Sequence, residues 1–278
     1  MRGCLDKVRG RLDLQDKEMT TESTDTRRHG EMNLFFEYSR EHKHIGRCLI
    51  INNENFNDQP RRYGTEVDGR TLRMTFRMLG FRVRMEKDLR AADMRRVLQE
   101  ESVEDHSEMS CFVCVLLSHG DQGLLMGVDG VPISIQSLAS TLTSTHCHSL
   151  RGKPKLFFIQ ACRGQQMDSG VETDSVEPKE EEEFAGVSEV PEEDFLCCHS
   201  TSPGYFSWRN ELCGSVFISS LCDMLTRYRR LEITKILTRV SYHVATSFHS
   251  QTGQKESHGK KQMPCIISRL TREFYPQR

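Results

Sequence analysis

The chain has 278 residues, enough for one large domain or two small ones around a full hydrophobic core. Its 38 Lys+Arg against 40 Asp+Glu leave a formal charge of −2, so the polycationic signature of a general nucleic-acid binder is missing, and no apolar run approaches the ~18 residues of a membrane span. The charged start Met1-Arg2-Gly3-Cys4-Leu5-Asp6 lacks an apolar secretory core, so the eleven scattered Cys read as free thiols of a reducing cytosol or nucleus.

Residues 1–30 are polar and without helical or strand periodicity, which predicts a short disordered N-terminal segment. The folded part is expected to begin near Phe35 to Tyr38. Arg47 to Ile51 reads as a strand that turns at Asn52-Asn53. Leu72, Phe76 and Leu79 lie on one helix face that stops at Gly80, and Phe81-Arg82-Val83-Arg84-Met85 alternates as a strand. Met94, Val97 and Leu98 mark a second helix. A strand follows at Cys111 to Leu117, a turn at Asp129-Gly130, and a buried strand at Leu156 to Ile159.

Between Val171 and Asp194 stand eleven acidic residues, one Lys and two Pro, a composition that cannot bury enough apolar area to offset the entropy of ordering. It reads as an internal linker, with Asp194 part of its solvated charge. Order is expected to resume at Phe195-Leu196-Cys197-Cys198. One helix then carries Phe217, Leu221, Met224 and Leu225, another Ile233, Ile236, Leu237, Val240 and Val244, and Cys265-Ile266-Ile267 closes as a strand. Short apolar strands alternating with amphipathic helices predict an α/β fold with a mostly parallel sheet, whose functional groups belong at the strand C-terminal ends.

Two groups at such ends carry chemistry. Gln160-Ala161-Cys162-Arg163-Gly164 follows one buried strand, and Ser118-His119-Gly120 follows another. A thiol and an imidazole on adjacent strand ends are the minimal apparatus of a cysteine hydrolase. A metal reading of the Cys pairs is weaker. Cys111 and Cys114 have CxxC spacing but lie in a strand, where positions three apart face opposite sides, and Cys197-Cys198 alternate in the same way. No metal or cofactor is expected.

Together with Arg62-Tyr63-Gly64-Thr65-Glu66-Val67-Asp68 and Pro203-Gly204-Tyr205-Phe206-Ser207-Trp208-Arg209-Asn210, these motifs resemble those of the caspases, closest to the executioner type, over about Phe35 to Tyr275. The resemblance implies a caspase-type, mostly parallel six-stranded sheet flanked by helices, and an Asp-specific cysteine endopeptidase zymogen of apoptosis. It implies Cys162 as nucleophile, His119 as the general base and acid, the N–H groups of Gly120 and Cys162 as oxyanion donors, and the Pro60 carbonyl as the group that orients His119. Arg62, Gln160 and Arg209 match the positions that read the substrate Asp. Phe206, Ser207, Trp208 and Asn210 match those that hold the residues before it. Arg61, beside Arg62, reads as surface, and Arg163 as a loop or dimer-contact residue.

By the same resemblance, 1–30 is a prodomain, 31–174 the large catalytic subunit, 175–194 the intersubunit linker and 195–278 the small subunit. An upstream initiator protease would cut after Asp174, in Val171-Glu172-Thr173-Asp174-Ser175, and after Asp25. The products would form a homodimer of large/small pairs through the strand at Cys265 to Leu270, in the cytoplasm with nuclear entry after activation, acting on proteins and on neither nucleic acid nor membrane. A catalytically silent caspase-like interaction protein is the alternative from a different class. The chain departs from executioner members between Phe248 and Gln262, where Gln251, Gly253 and Ser257 leave Phe248 as the single aromatic, and at His199 and Val216, which stand where Tyr and Trp are usual.

Overall fold

Backbone order in the computed structural model is described for residues 36–170, 190–252 and 254–277. The segment expected to be disordered, both expected processing positions (Asp25 and Asp174) and most of the acidic linker lie outside these residues. In chain order the elements are β1 (His44–Asn52), α1 (Thr65–Met78), β2 (Arg82–Lys87), α2 (Ala91–Val103), β3 (Met109–Leu117), β4 (Gly120–Asp121), β5 (Leu124–Met126), β6 (Pro132–Ser134) and α3 (Ile135–Ala139). They continue with β7 (Lys155–Gln160), β8 (Phe195–His199), α4 (Val216–Arg227), α5 (Ile233–Ser247) and β9 (Cys265–Ser268).

Six strands form the central sheet in the order β2-β1-β3-β7-β8-β9. All neighbours are parallel except β8 and β9, which pair antiparallel. Strand β3 is buried at all nine positions because helices cover both faces of the sheet, which is why its sequence is a continuous apolar run. Its residues still alternate. Cys111, Val113, Val115 and Leu117 join one core cluster with Leu72, Phe76, Phe217, Leu221 and Val240 of α1, α4 and α5. Phe112, Cys114 and Leu116 join the opposite cluster with Met94, Val97 and Leu98 of α2 and Leu138 of α3. Cys111 and Cys114 therefore point to opposite faces, as do Cys198 and Cys197. Each fully buried Leu, Ile or Phe contributes about 1.5–3 kcal/mol relative to exposure, so β3 and β7 anchor the strand ends that follow them.

Helix starts have local causes. Glu232 caps α5 by accepting from the N–H groups of Thr234 and Lys235, and the Ser215 hydroxyl caps α4 by accepting from Ile218 N–H at 3.3 Å. At α1 the capping position is Gly64, with φ 83°, and a Cβ there would lie 2.3 Å from the Asn210 carbonyl oxygen. Only glycine allows that turn and that approach.

Three features differ from the expectation. The small antiparallel sheet β4-β5-β6 and the five-residue helix α3 were not foreseen, because strands of two or three residues carry no periodicity. Order was expected to resume at Phe195, and the described residues on this side already include 190–194. Val190 is fully buried in the α2-side core. Asp194 is not solvated linker: it is 5% exposed, and its carboxylate accepts from Tyr38 Oη at 2.5 Å and from Thr271 Oγ1 at 2.7 Å. Its backbone N–H donates to the Arg269 carbonyl, and its own carbonyl accepts from Lys155 N–H. Those pairings compensate the burial of the charge, which composition alone could not reveal.

Candidate active site

Strands β3 and β7 are adjacent, with Leu117 beside Gln160, so the residues that follow them emerge side by side. Arg62, Ser118, His119, Gln160, Ala161, Cys162, Phe206, Ser207 and Arg209 line one cleft of about 120 Å³. Its walls come from four separate stretches: the β1–α1 loop, the end of β3, the end of β7, and the loop after β8.

His119 Nε2 lies 2.8 Å from the Pro60 carbonyl oxygen, which assigns the ring proton to Nε2 and leaves Nδ1 as the basic nitrogen. The edge of Phe56 packs against the ring at a centroid distance of 4.6 Å. Burial holds the imidazole below its ordinary pKa, with the positive charges of Arg62 and Arg209 adding to the effect against the Pro60 contact. The thiol of Cys162 is pushed up, first by burial; the Ser207 N–H, 3.5 Å from Sγ, and the two arginines act in the opposite sense. Both shifts favour the neutral forms, and among the described residues no hydrogen bond joins Cys162 to His119. Gly120 stands where nothing larger fits: a Cβ would come within 2.6 Å of Leu124 O and 3.0 Å of Ala161 Cβ. Its amide can thus sit close to the strand end that carries Cys162.

The second half of the cleft is cationic. Arg62 is 1% exposed, and its Nη1 donates to the Asn53 carbonyl at 2.7 Å and to Thr65 Oγ1 at 3.0 Å. Thr65 Oγ1 passes the bond on to Asn52 Oδ1 at 2.7 Å. Arg62 Nε and Nη2 are buried without partners, a costly condition that a bound acceptor would relieve. Burial, then the nearby Arg209, lowers the pKa of Arg62 to about 9. Gln160 Nε2 donates to Ser207 Oγ at 2.8 Å while its Oε1 has no partner, and Arg209 Nε donates to the Tyr63 carbonyl at 2.8 Å. Arg61 is exposed and paired with Glu54, as expected of a surface residue. Arg163 is instead 5% exposed, with its backbone joined to Tyr205 and Gly204, so it binds the β7 and β8 loops together inside the subunit.

Trp208, Arg209 and Asn210 also line a second cavity of about 240 Å³ with Cys213, Val216, Ser219 and Phe248. Trp208 packs against Phe206 and Phe248 at centroid distances of 5.1 and 6.2 Å. The Asn210 side chain is committed to its own turn, accepting from the N–H groups of Leu212 and Cys213. Sequence reasoning missed the groups that set these positions: Asn53, Thr65, Phe56, Ser200 and Gln262. Gln262 Oε1 accepts Trp208 N–H at 2.8 Å and its Nε2 donates to the Ser200 carbonyl at 2.7 Å. A lone Gln in a polar loop gives no sequence signal for such a role.

Residues 45–275 match the family model described as the caspase domain. The chain belongs to the caspase family. It is 48% identical over 242 residues to caspase-3 of Mus musculus and 47% identical over 242 residues to caspase-3 of Bos taurus, covering 86% of each chain. Caspase-7 of Gallus gallus is 46% identical over 247 residues, covering 86% of this chain and 80% of the relative. These similarities make it an executioner caspase, an Asp-specific cysteine endopeptidase of apoptosis. The silent interaction protein is not favoured. Family membership also implies protein substrates and dimeric assembly. No helix among the described residues is long and apolar enough to cross a membrane.

Proposed function

We propose that Cys162 and His119 perform the peptide hydrolysis and that Arg62, Gln160 and Arg209 select the Asp whose carbonyl is attacked. The observation that carries this reading is one cleft holding the thiol, the imidazole and a buried guanidinium with two unpartnered nitrogens, Nε and Nη2. A substrate carboxylate supplies the acceptors that Arg62 lacks, Arg209 adds a second cation, and Gln160 Nε2 adds a neutral donor.

Cys162 Sγ attacks the scissile carbonyl carbon as its proton passes to His119 Nδ1, the nitrogen that the Pro60 contact leaves basic. The resulting oxyanion takes hydrogen bonds from the Gly120 and Cys162 backbone N–H groups; one such donor is worth about 2.7–4 kcal/mol in the transition state. The imidazolium then protonates the leaving amine, and water releases the thioester. Ser207, Phe206, Trp208 and Asn210 receive the residues before the Asp, the peptide adding as a strand along this loop. In the resting state the Ser207 N–H faces Cys162 Sγ, so the incoming peptide replaces that contact.

The chain is the precursor, with prodomain 1–30, large subunit 31–174, linker 175–194 and small subunit 195–278. Cleavage after Asp174 by an upstream initiator protease, and after Asp25, frees the loop that follows Gln160 at the end of β7 and the loop that carries Arg209. Two large/small pairs then join through Cys265 to Leu270, on the open edge of the sheet formed by β9, in the cytoplasm with nuclear access after activation. The deciding assay compares peptides that differ only at the cleaved residue, Asp, Asn or Arg. Preferential turnover of Asp is expected, whereas equal turnover of all three overturns the assignment of the arginines. Activation is tested by Asp174→Ala: full activity of the uncut chain would refute processing at that site.

A further inference from the structure

An acidic group that the mechanism above leaves unused is buried against the segment that follows Arg209. Asp68, in the first turn of α1, is 2% exposed. Its Oδ1 accepts the Ser215 N–H at 2.8 Å, and its Oδ2 is buried without a hydrogen-bond partner. Ser215 closes the loop that begins at Arg209 and leads into α4. At Gly214, φ is 79° and a Cβ would come within 2.4 Å of Asp68 Oδ1, so this backbone can press against the carboxylate only as glycine. Asp68 also faces both arginines electrostatically: among the neighbouring charges it gives the largest support to the cation of Arg62 and to that of Arg209, whereas Arg209 disfavours the cation of Arg62.

We propose that Asp68 is the resident counter-ion of the Asp-binding cleft, a positioning residue that ties the Arg209 loop to α1 through Ser215 and offsets the repulsion between Arg62 and Arg209 until a substrate carboxylate arrives. The proposal rests on the assignment of those arginines to the substrate Asp. Two guanidiniums in a desolvated cleft repel each other and lose hydration, so an empty cleft without a local anion would favour withdrawal of the loop-borne Arg209. Among the described residues no hydrogen bond joins Asp68 to either guanidinium. Its charge is therefore present without occupying the donors that the substrate needs. The incoming carboxylate completes a set of two cations and two anions.

The test measures kcat and KM of the processed full-length protein for a peptide cleaved after Asp, with Asp68→Asn, Asp68→Ala and Arg62→Gln beside the wild type. Asparagine keeps the size of Asp68 and an acceptor for Ser215 N–H but not the charge. The expected result is a KM raised about five- to tenfold in Asp68→Asn, with kcat within about twofold because bound substrate supplies the missing anion, and a larger rise in Asp68→Ala. Arg62→Gln must raise KM more than either. If it does and Asp68→Asn keeps the wild-type KM, or loses kcat alone, the proposal is overturned while the assignment of the arginines stands; if Arg62→Gln leaves KM unchanged, both fall.

A pH profile gives a second readout, whose wild-type arm does not depend on any variant folding. Burial pushes the Asp68 carboxyl up to about 6, against the Ser215 contacts and the attraction of Arg62 and Arg209; Cys222 of α4 is the other titratable group that senses its charge. Wild-type KM should rise as pH falls through about 6, and this rise should be absent from Asp68→Asn. A wild-type KM that stays flat across that range overturns the proposal.

Discussion

The cleft around Cys162 and the cavity around Trp208 and Phe248 share Arg209, yet they are built differently. The first grows from the ends of β3 and β7, two parallel strands buried on both faces, and its polar groups are held by the backbone at Asn53, Pro60 and Tyr63. The second is assembled from loop side chains. Trp208 rests on Phe206 and Phe248, and one Gln262 bridges it to Ser200. Cys162, His119 and Gln160 therefore stand at or next to buried strand ends, while Arg209 and the proposed contacts for the more distant substrate residues share a loop that can repack. In such a division the first region tolerates almost no substitution, and the second can vary and retune affinity.

Four experiments sharpen or break that contrast. Removing the thiol with Cys162→Ala should lower kcat by at least about 10⁴-fold with unchanged thermal melting, measured by peptide hydrolysis and calorimetry. Arg62→Gln should cost about 10²–10³-fold in kcat/KM for cleavage after Asp, with a melting temperature equal to or above the wild type. A buried cation with two unpartnered nitrogens serves binding and not stability, so a pronounced drop in melting temperature would contradict this account. In the second region, Phe248→Ala should lower kcat/KM only about three- to tenfold. It should also red-shift the emission of Trp208, the single Trp of the chain, while the rate of Cys162 alkylation stays the same. A loss as large as that of Arg62→Gln would erase the distinction between the regions.

The smallest effect concerns pH. Catalysis needs unprotonated His119, and burial keeps its pKa below the ordinary imidazole value, so the fall in kcat on acidification should lie below the range of an exposed histidine. Phe56→Ala exposes the ring and should move that acid limb upward by a fraction of a unit, as read from kcat against pH. An unmoved limb would show that burial by Phe56 is not what holds the imidazole down.

Much of this was legible before any coordinates, because its signals are local. The continuous apolar runs ending at Leu117 and Gln160 announced strands buried on both faces, and parallel pairing put His119 and Cys162 at neighbouring ends. The face rule for strands separated Cys111 from Cys114 and Cys197 from Cys198. Where order resumes after the acidic stretch was not legible: Asp194 looks like one more acidic residue until Tyr38 and Thr271, far along the chain, supply its hydrogen bonds. Gln262 and Asp68 were invisible for the same reason, since their partners are separated from them by 54 and 147 positions.

By itself, then, the sequence determined which residues have the chemistry to act: a thiol, an imidazole, two arginines and a glutamine in motifs of recognisable spacing, carried on strands whose periodicity is set by backbone geometry. Tertiary structure decided their states. Packing buried Arg62 and left two of its nitrogens unpartnered, lowered the basicity of His119, raised the Cys162 thiol and put both arginines in the field of Asp68. Desolvation and the Coulomb field depend on which distant groups share a low-dielectric volume, and only the folded chain brings those groups together.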